Sequence, residues 1–279
     1  MIDLHVHTNF SDGTYSPEDV VELAKGKGLF AIAITDHDTT DGVKIALKKG
    51  QEIGLKVISG VEISADFEIE MHILGLFIDV DNKTLQNRLK MLEMFRKERN
   101  PKIIEKLRKM GYDISMEDVE EVASGDVIGR PHIARVLVQK GYFDSTKAVF
   151  ENLLGFGKPA YVKKEKLKPY EAIEAIKEAN GLAILAHPHK YLYLEEGPEN
   201  IFEELKEYGL DGLEVYHSDH TDKETRELLE IAKKLDLIVS GGSDFHGTNK
   251  PDIEIGIGRG NLNIGKEVIE ELERKVARR

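Results

Sequence analysis

D-L-H-V-H-T-N-F-S-D-G (residues 3–13) and, one helix-length segment later, F-A-I-A-I-T-D-H-D (residues 30–38) decide how this chain is read. In a strand, side chains two apart share a face, so His5 and His7 project together from the end of the first strand. That is a metal-ligand spacing. Asp12 follows in a loop, and His37, between Asp36 and Asp38, stands where the second apolar run ends. Three imidazoles and several carboxylates thus gather near two adjacent strand ends.

Working outward, short apolar runs alternate with amphipathic stretches, as repeated βα units around a parallel sheet or barrel require. Strands are expected at 2–6, 30–35, 56–61, 71–78, 182–186, 212–215 and 237–240. Ser16-Pro17-Glu18-Asp19 reads as a helix start, with a capping hydroxyl, proline in the first turn and acids at the positive helix end. Gly26 and Gly28 close that helix. Between residues 79 and 160 the rhythm changes to four helical segments (83–110, 115–123, 131–140 and 145–154) without a convincing strand. The expected fold is therefore α/β: a barrel formed by residues 1–79 and 160–279, with a small inserted helical domain at 80–159.

The remaining polar candidates fall at strand ends. Glu62 follows K-V-I-S-G-V, His187 closes L-A-I-L-A-H-P, and Asp244 and His246 follow L-I-V-S-G-G-S-D-F-H-G. Parallel barrels build active sites at that face. His72, in M-H-I-L-G, begins its run and needs an antiparallel or bent strand to point inward.

Composition narrows the chemistry. The 279 residues are 41% hydrophobic and 32% charged, and 39 Lys+Arg against 51 Asp+Glu give a net charge of −12. Such an acidic chain is poorly suited to neutralising duplex DNA, although bound cations would reverse the sign locally. There is no cysteine, which excludes disulfides, thiolate zinc sites and cysteine nucleophiles and leaves nitrogen and oxygen ligands. Nothing resembles a signal peptide or membrane span, the first strand begins at Ile2, and a cytoplasmic location is expected. Oligomeric state is not encoded in any pattern here.

At these residues the chain resembles the PHP family, named for polymerase and histidinol phosphatase. The shared pattern is an H-x-H strand, a D-H-D turn, a glutamate after the third strand, an A-H-P and a terminal D-x-H, present here as H-V-H, T-D-H-D, G-V-E, L-A-H-P and S-D-F-H. Within it, the chain is most similar to the 3′,5′-nucleotide bisphosphate phosphatases and 5′-to-3′ exoribonucleases, whose helical insert carries the G-R-P-H found at residues 129–132. The resemblance implies a distorted (β/α)7 barrel and three divalent metal ions, manganese before iron or zinc. Carried over, His5, His7, Glu62 and Asp244 bind one ion. Asp12, His37 and His246 bind a second, and a bridging Glu62 with His72 and His187 a third. Some relatives have histidine where Asp12 stands; an aspartate makes that site harder and suits manganese.

Phosphate-ester hydrolysis needs neutralised nonbridging oxygens, a nucleophilic water at neutral pH and help for the departing alkoxide, all of which closely spaced divalent ions supply through a bridging hydroxide. His189, His217 or metal-bound water are open candidates for general acid. Arg130 and His132, at a helix start, and Lys158, in G-F-G-K-P-A-Y, are the expected phosphate-binding residues. The lysine run at 163, 164, 166 and 168 reads as a solvated linker, and the Met/Leu stripe of R-L-K-M-L-E-M-F-R-K as core. The expected reaction is removal of the 3′-phosphate from small 3′,5′-bisphosphonucleotides, with short 5′-phosphorylated RNA as a further substrate. Histidinol phosphatase is the same-chemistry alternative. An amidohydrolase lacks its bridging lysine, replaced by Glu62, and a non-catalytic metal-binding module leaves the intact ligand set without a purpose.

Overall fold

The structure is a computed structural model that describes residues 1–123, 127–194 and 197–278. Seven strands form one sheet in chain order: β1 (Ile2–Val6), β2 (Ala31–Ile34), β3 (Lys56–Ala65), β4 (Met71–Leu76), β5 (Leu182–Leu185), β6 (Gly212–His217) and β7 (Ile238–Gly242). β1, β2 and β3 run parallel, as do β5, β6 and β7, whereas β4 is antiparallel to both neighbours. The two edges meet just past β7, where Asp244 N–H donates to His5 O and His7 N–H to Phe245 O, both at 2.9 Å. Gly242 permits that closure, because a Cβ there would overlap the backbone nitrogen and Cβ of His5.

β3 is longer than its apolar run suggests and changes partner midway. Residues 56–59 pair in parallel with β2, and residues 60–65 pair antiparallel with β4. Gly60 stands at the change-over, where a Cβ would lie 2.7 Å from Ile34 O. The ladder with β4 carries Glu62 inside the strand instead of beyond it. β6 likewise runs on to His217, past the expected end at 215, because Tyr216 and His217 continue to pair with Gly241 and Gly242.

Helices cover the outside: α1 (Pro17–Gly26) and α2 (Val43–Ile53) precede the helical segment, which contains α3 (Lys83–Lys109), α4 (Met116–Val122), α5 (Arg130–Gln139), and α6 (Thr146–Val149) continuing as a π-helical turn over Phe150–Leu154. After it come α7 (Pro169–Glu178), α8 (Pro198–Glu207), α9 (Asp222–Lys234) and α10 (Lys266–Val276). Ser16 caps α1 as its sequence indicates, accepting from Asp19 N–H at 3.1 Å. No described helix is long and apolar enough to cross a membrane.

α3 belongs to two cores. Leu85, Leu89 and Leu92 join the barrel cluster with Ile173 and Ile176, while Ile103, Ile104 and Leu107 join a separate cluster with Ile133, Leu137, Val149 and Leu153. Each such buried leucine or isoleucine contributes about 1.5–3 kcal/mol. The Met/Leu stripe is only half core, however. The leucines face inward, but Met91 and Met94 stand on the opposite face, exposed by 39% and 58%.

Candidate metal centre

The candidate ligands meet at one mouth of the barrel, around Glu62 of β3. His5 ends β1 and His7 follows it; His37 pairs across to Glu62 at the end of β2; His187, Asp244 and His246 follow β5 and β7. The antiparallel direction of β4 sets His72 opposite Ser64 and turns its ring toward Glu62. Asp12 comes from the loop after β1. His187 and Asp244 hold left-handed backbones (φ 34° and 58°). Non-glycine residues there cost about 1–3 kcal/mol each and concentrate at functional sites.

The spacing fits metal ligation. His5 Nε2 and His7 Nε2 are 3.1 Å apart; they lie 3.4 and 3.3 Å from Glu62 Oε2, and 3.5 and 3.3 Å from Asp244 Oδ1. Ligand atoms about 2.1 Å from a tetrahedral ion are separated by about 3.4 Å. The other oxygen of Glu62, Oε1, forms a triangle with His72 Nδ1 (3.0 Å) and His187 Nε2 (3.2 Å), which are themselves 3.2 Å apart. A third group comprises Asp12, His37 and His246, with Asp12 Oδ1 3.1 Å from His246 Nε2 and Asp12 Oδ2 3.8 Å from His37 Nε2. The ring of His7 stacks on His246 at 4.0 Å and stands between the first and third groups. Glu62 Oε2 and His37 Nδ1 are buried 2.8 Å apart without a hydrogen bond. Buried polar atoms that lack a hydrogen-bond partner are the kind a bound cation satisfies.

A layer behind these residues escaped the sequence reading. Glu214, fully buried on β6, accepts from His5 Nδ1 at 2.9 Å and from His187 N–H at 2.7 Å. Such a carboxylate fixes the tautomer and orientation of its imidazole. Asp36 accepts from Thr8 N–H, Thr8 Oγ1 and Ser11 Oγ at 2.6–2.7 Å and anchors the loop that carries Asp12. Asp3 ties the post-β7 loop to β1 through Ser243 N–H (2.8 Å) and Gly256 N–H (2.7 Å).

The electrostatics leave the site negative. Burial pushes the Glu62 carboxyl up, but the charges of His37, His72 and His5 hold it well below the usual carboxylate range. Asp12 and Asp244 are held low against burial in the same way, Asp244 chiefly by Lys250. Burial opposes protonation of His5 and His7, yet the surrounding carboxylates raise both, His7 to about 9. Burial keeps His187 at about 3 and His246 at about 4, so these two imidazoles are neutral near pH 7. Four buried carboxylates, those of Asp12, Glu62, Asp244 and Glu214, thus gather among the imidazoles, a setting in which a divalent cation offsets negative charge.

Beside the negative cluster lies a positive one. Asp38 accepts from Arg96 Nε at 3.1 Å, Lys164 Nζ at 2.8 Å and Ser64 N–H at 2.8 Å, and Arg96 Nη2 reaches the same carboxylate. Lys164 is 6% exposed, which overturns its reading as part of a solvated linker: Asp38, an internal counter-ion, draws it in, while Lys163 and Lys168 do remain at the surface with Asp66. Arg99 is buried nearby, lowered to about 9 by burial and by the charges of Arg96 and Arg130. Arg130 lies 3.6 Å from Glu70, whose carboxylate is 4.0 Å from His72 Nε2. His132 is buried, its Nδ1 accepting from Gly129 N–H at 3.0 Å at the start of α5. Lys158 is exposed on the turn after the π-helical residues, and none of the described contacts joins it to the cluster.

His189 and His217 form a side group with His220, with ring centroids 4.9 to 6.3 Å apart. This trio does not offer three lone pairs. His217 Nδ1 accepts from Asp219 N–H at 3.1 Å, which leaves its proton on Nε2, 3.6 Å from Asp244 Oδ2. His220 donates from Nδ1 to Val215 O at 2.8 Å.

A seven-stranded α/β barrel with clustered imidazoles and carboxylates at one mouth defines a metal-dependent hydrolase. The chain belongs to the PHP family, for the PHP domain pattern matches residues 3–221. It is 37% identical over 245 residues to a 5′-3′ exoribonuclease of Haemophilus influenzae, covering 88% of this chain and 89% of that protein. It is 29% identical over 286 residues to the 3′,5′-nucleoside bisphosphate phosphatase of Chromobacterium violaceum, covering 99% and 98%. A solved chain from Bifidobacterium adolescentis, described as a metal-dependent phosphoesterase, superposes with a TM-score of 0.88 at 32% identity over 98% of this chain and 96% of that one. The chain is accordingly a metal-dependent phosphoric ester hydrolase.

Proposed function

We propose that this protein removes the 3′-phosphate from 3′,5′-bisphosphorylated nucleotides, with adenosine 3′,5′-bisphosphate as type substrate, and also processes short 5′-phosphorylated RNA from its 5′ end. The observation that carries this reading is the pairing of two sites of opposite sign. A bisphosphonucleotide presents two dianions one nucleoside apart. The ligand cluster around Glu62 supplies one receptor once divalent ions are held there. The buried cations Arg96, Arg99 and Lys164 and the half-buried Arg130, with Asp38 and Glu70 the carboxylates close against them among the described residues, supply the other. The exoribonuclease and bisphosphate phosphatase among its relatives are consistent with such a pair.

In this reading three divalent ions, manganese in preference to iron or zinc, are held by the groups described: His5, His7, Glu62 and Asp244; Asp12, His37 and His246; and Glu62 with His72 and His187. Bound there, they neutralise the scissile phosphate and lower the pKa of an attacking water. The chain orients these ligands through Glu214 and Asp36, and excludes bulk water with residues 80–159, read as an inserted domain over the mouth of a barrel made of residues 1–79 and 160–279. Arg130 holds the phosphate that is not cleaved.

The test is phosphate release by the manganese-reconstituted protein from adenosine 3′,5′-bisphosphate, beside histidinol phosphate, 5′-AMP and a short 5′-phosphorylated RNA. Preferential release from the bisphosphate, lost in Glu62→Ala, is expected. Preference for histidinol phosphate, or no turnover of any phosphoester at full metal loading, would overturn the substrate assignment.

A further inference from the structure

Phe156 is 81% exposed, more than any other large apolar side chain described, and it sits between Gly155 and Gly157 at the tip of the turn that follows the π-helical residues. An isolated exposed phenylalanine carries no meaning. This one is the outer end of a continuous stack. Its ring meets Tyr161 edge-on with centroids 5.4 Å apart, and the Arg130 guanidinium lies 5.6 Å from the Tyr161 ring and 5.7 Å from that of Phe150. Arg130 in turn reaches Glu70, which borders His72. A row of π faces therefore runs from the cations beside the metal centre out to solvent. Lys158, exposed two residues from Phe156, adds a positive charge at the outer end.

Resting on the bisphosphonucleotide reading above, we propose that Phe156, with Tyr161 beneath it, is the platform on which the nucleobase of the substrate stacks. The chemistry fits one occupant. A nucleotide whose phosphates are held at Arg130 and at the metal centre carries its base on the sugar between them, so the base must lie beside Arg130. Aromatic faces flanked by cations hold bases without regard to sequence, because every base has a π face. The glycine on each side of Phe156, one of them at φ 72°, lets the ring swing onto bases of different size. The platform makes this enzyme select nucleotides over sugar phosphates of equal charge.

Equilibrium binding to the manganese-loaded protein tests this without relying on turnover. Adenosine 5′-monophosphate and ribose 5-phosphate are compared by calorimetry on the unmodified chain, Phe156→Ala and Phe156→Trp. The unmodified chain is expected to bind the nucleotide at least about fivefold more tightly than the sugar phosphate, the scale of one stacked base. Phe156→Ala should abolish the difference and Phe156→Trp preserve it, with ribose 5-phosphate bound equally by all three. Because Phe156 is exposed, its removal leaves the core intact. An undiminished preference in Phe156→Ala, or no preference in the unmodified chain, overturns the proposal. Hydrolysis of adenosine 3′,5′-bisphosphate, followed in parallel, separates the two ideas, since its absence would overturn the reaction assigned above while leaving the binding comparison to decide the platform.

Discussion

Replacing Asp38 by asparagine removes the carboxylate that the buried Arg96 and Lys164 share. Asp38 is 1% exposed, and it also accepts from Ser64 N–H and Ser64 Oγ. An asparagine carbonyl keeps the bond from Ser64 N–H, and its amide can donate to Ser64 Oγ in place of the bond that Oδ2 accepts, but two cations are left without a counter-charge. Breaking a buried pair in this way costs about 3–5 kcal/mol. The midpoint of thermal unfolding of the metal-free protein should therefore fall by roughly 6–15 °C at pH 6, at about 2–3 °C per kcal/mol for a chain of this size. The loss should depend on pH, and Lys164 fixes the sign. Burial, then the charge of Arg96, depresses its pKa from 10.5 to about 7. Between those values the unfolded chain binds more protons than the folded one, so this lysine favours the fold as pH rises. In Asp38→Asn its pKa falls further. Well above pH 7 both proteins bury a neutral amine, and the share of the loss due to Lys164 disappears, leaving that due to Arg96. The destabilisation at pH 9 should be smaller than at pH 6 by up to about 1.4 kcal/mol, the worth of the one pH unit by which pH 6 lies below a pKa of about 7. Chemical denaturation at the two pH values measures it. A destabilisation below about 1 kcal/mol, or one that grows with pH, would refute the reasoning that Asp38 is the counter-ion of a buried lysine.

Three further outcomes are expected. Glu214→Gln keeps the volume but weakens the hold on His5 and His187, and manganese affinity should fall about 10- to 100-fold in a chelator competition. Metal loading should release protons at pH 7, because His7 titrates at about 9 in the metal-free protein and His5 higher than usual, and ligation requires both neutral; the release, read by calorimetry in buffers of different ionisation enthalpy, should decline as pH passes 9. Arg130→Ala should raise the KM for adenosine 3′,5′-bisphosphate by about 10- to 100-fold, in keeping with a charged hydrogen bond worth about 1.5–3 kcal/mol, and unchanged steady-state kinetics would contradict its role.

The candidate ligands were legible in the sequence as residues that end strands, because the place of each is fixed by a local pattern. H-V-H needs only the two-residue period of a strand, and A-H-P, G-V-E and S-D-F-H need only an apolar run that stops. His72 shows where local pattern ends: its ring turns inward because β4 reverses direction between two parallel halves, a property of the pairing with Glu62 and its neighbours. Glu214 was passed over because it sits in G-L-E-V-Y-H as an ordinary strand residue, and its partners His5 and His187 lie 209 and 27 residues away. Lys164 was misread for the same reason. In a run of four lysines nothing local distinguishes the one that meets Asp38, 126 residues earlier. The methionines of α3 were misread because their spacing fits a helix face, but only tertiary packing decides which face is covered.

The most direct test of Glu62 as the residue shared between two ligand groups is the number of manganese ions retained per chain after gel filtration, measured by elemental analysis. The unmodified protein should hold three, and Glu62→Ala no more than one, that of Asp12, His37 and His246. Retention of all three in Glu62→Ala would contradict a centre built around that carboxylate.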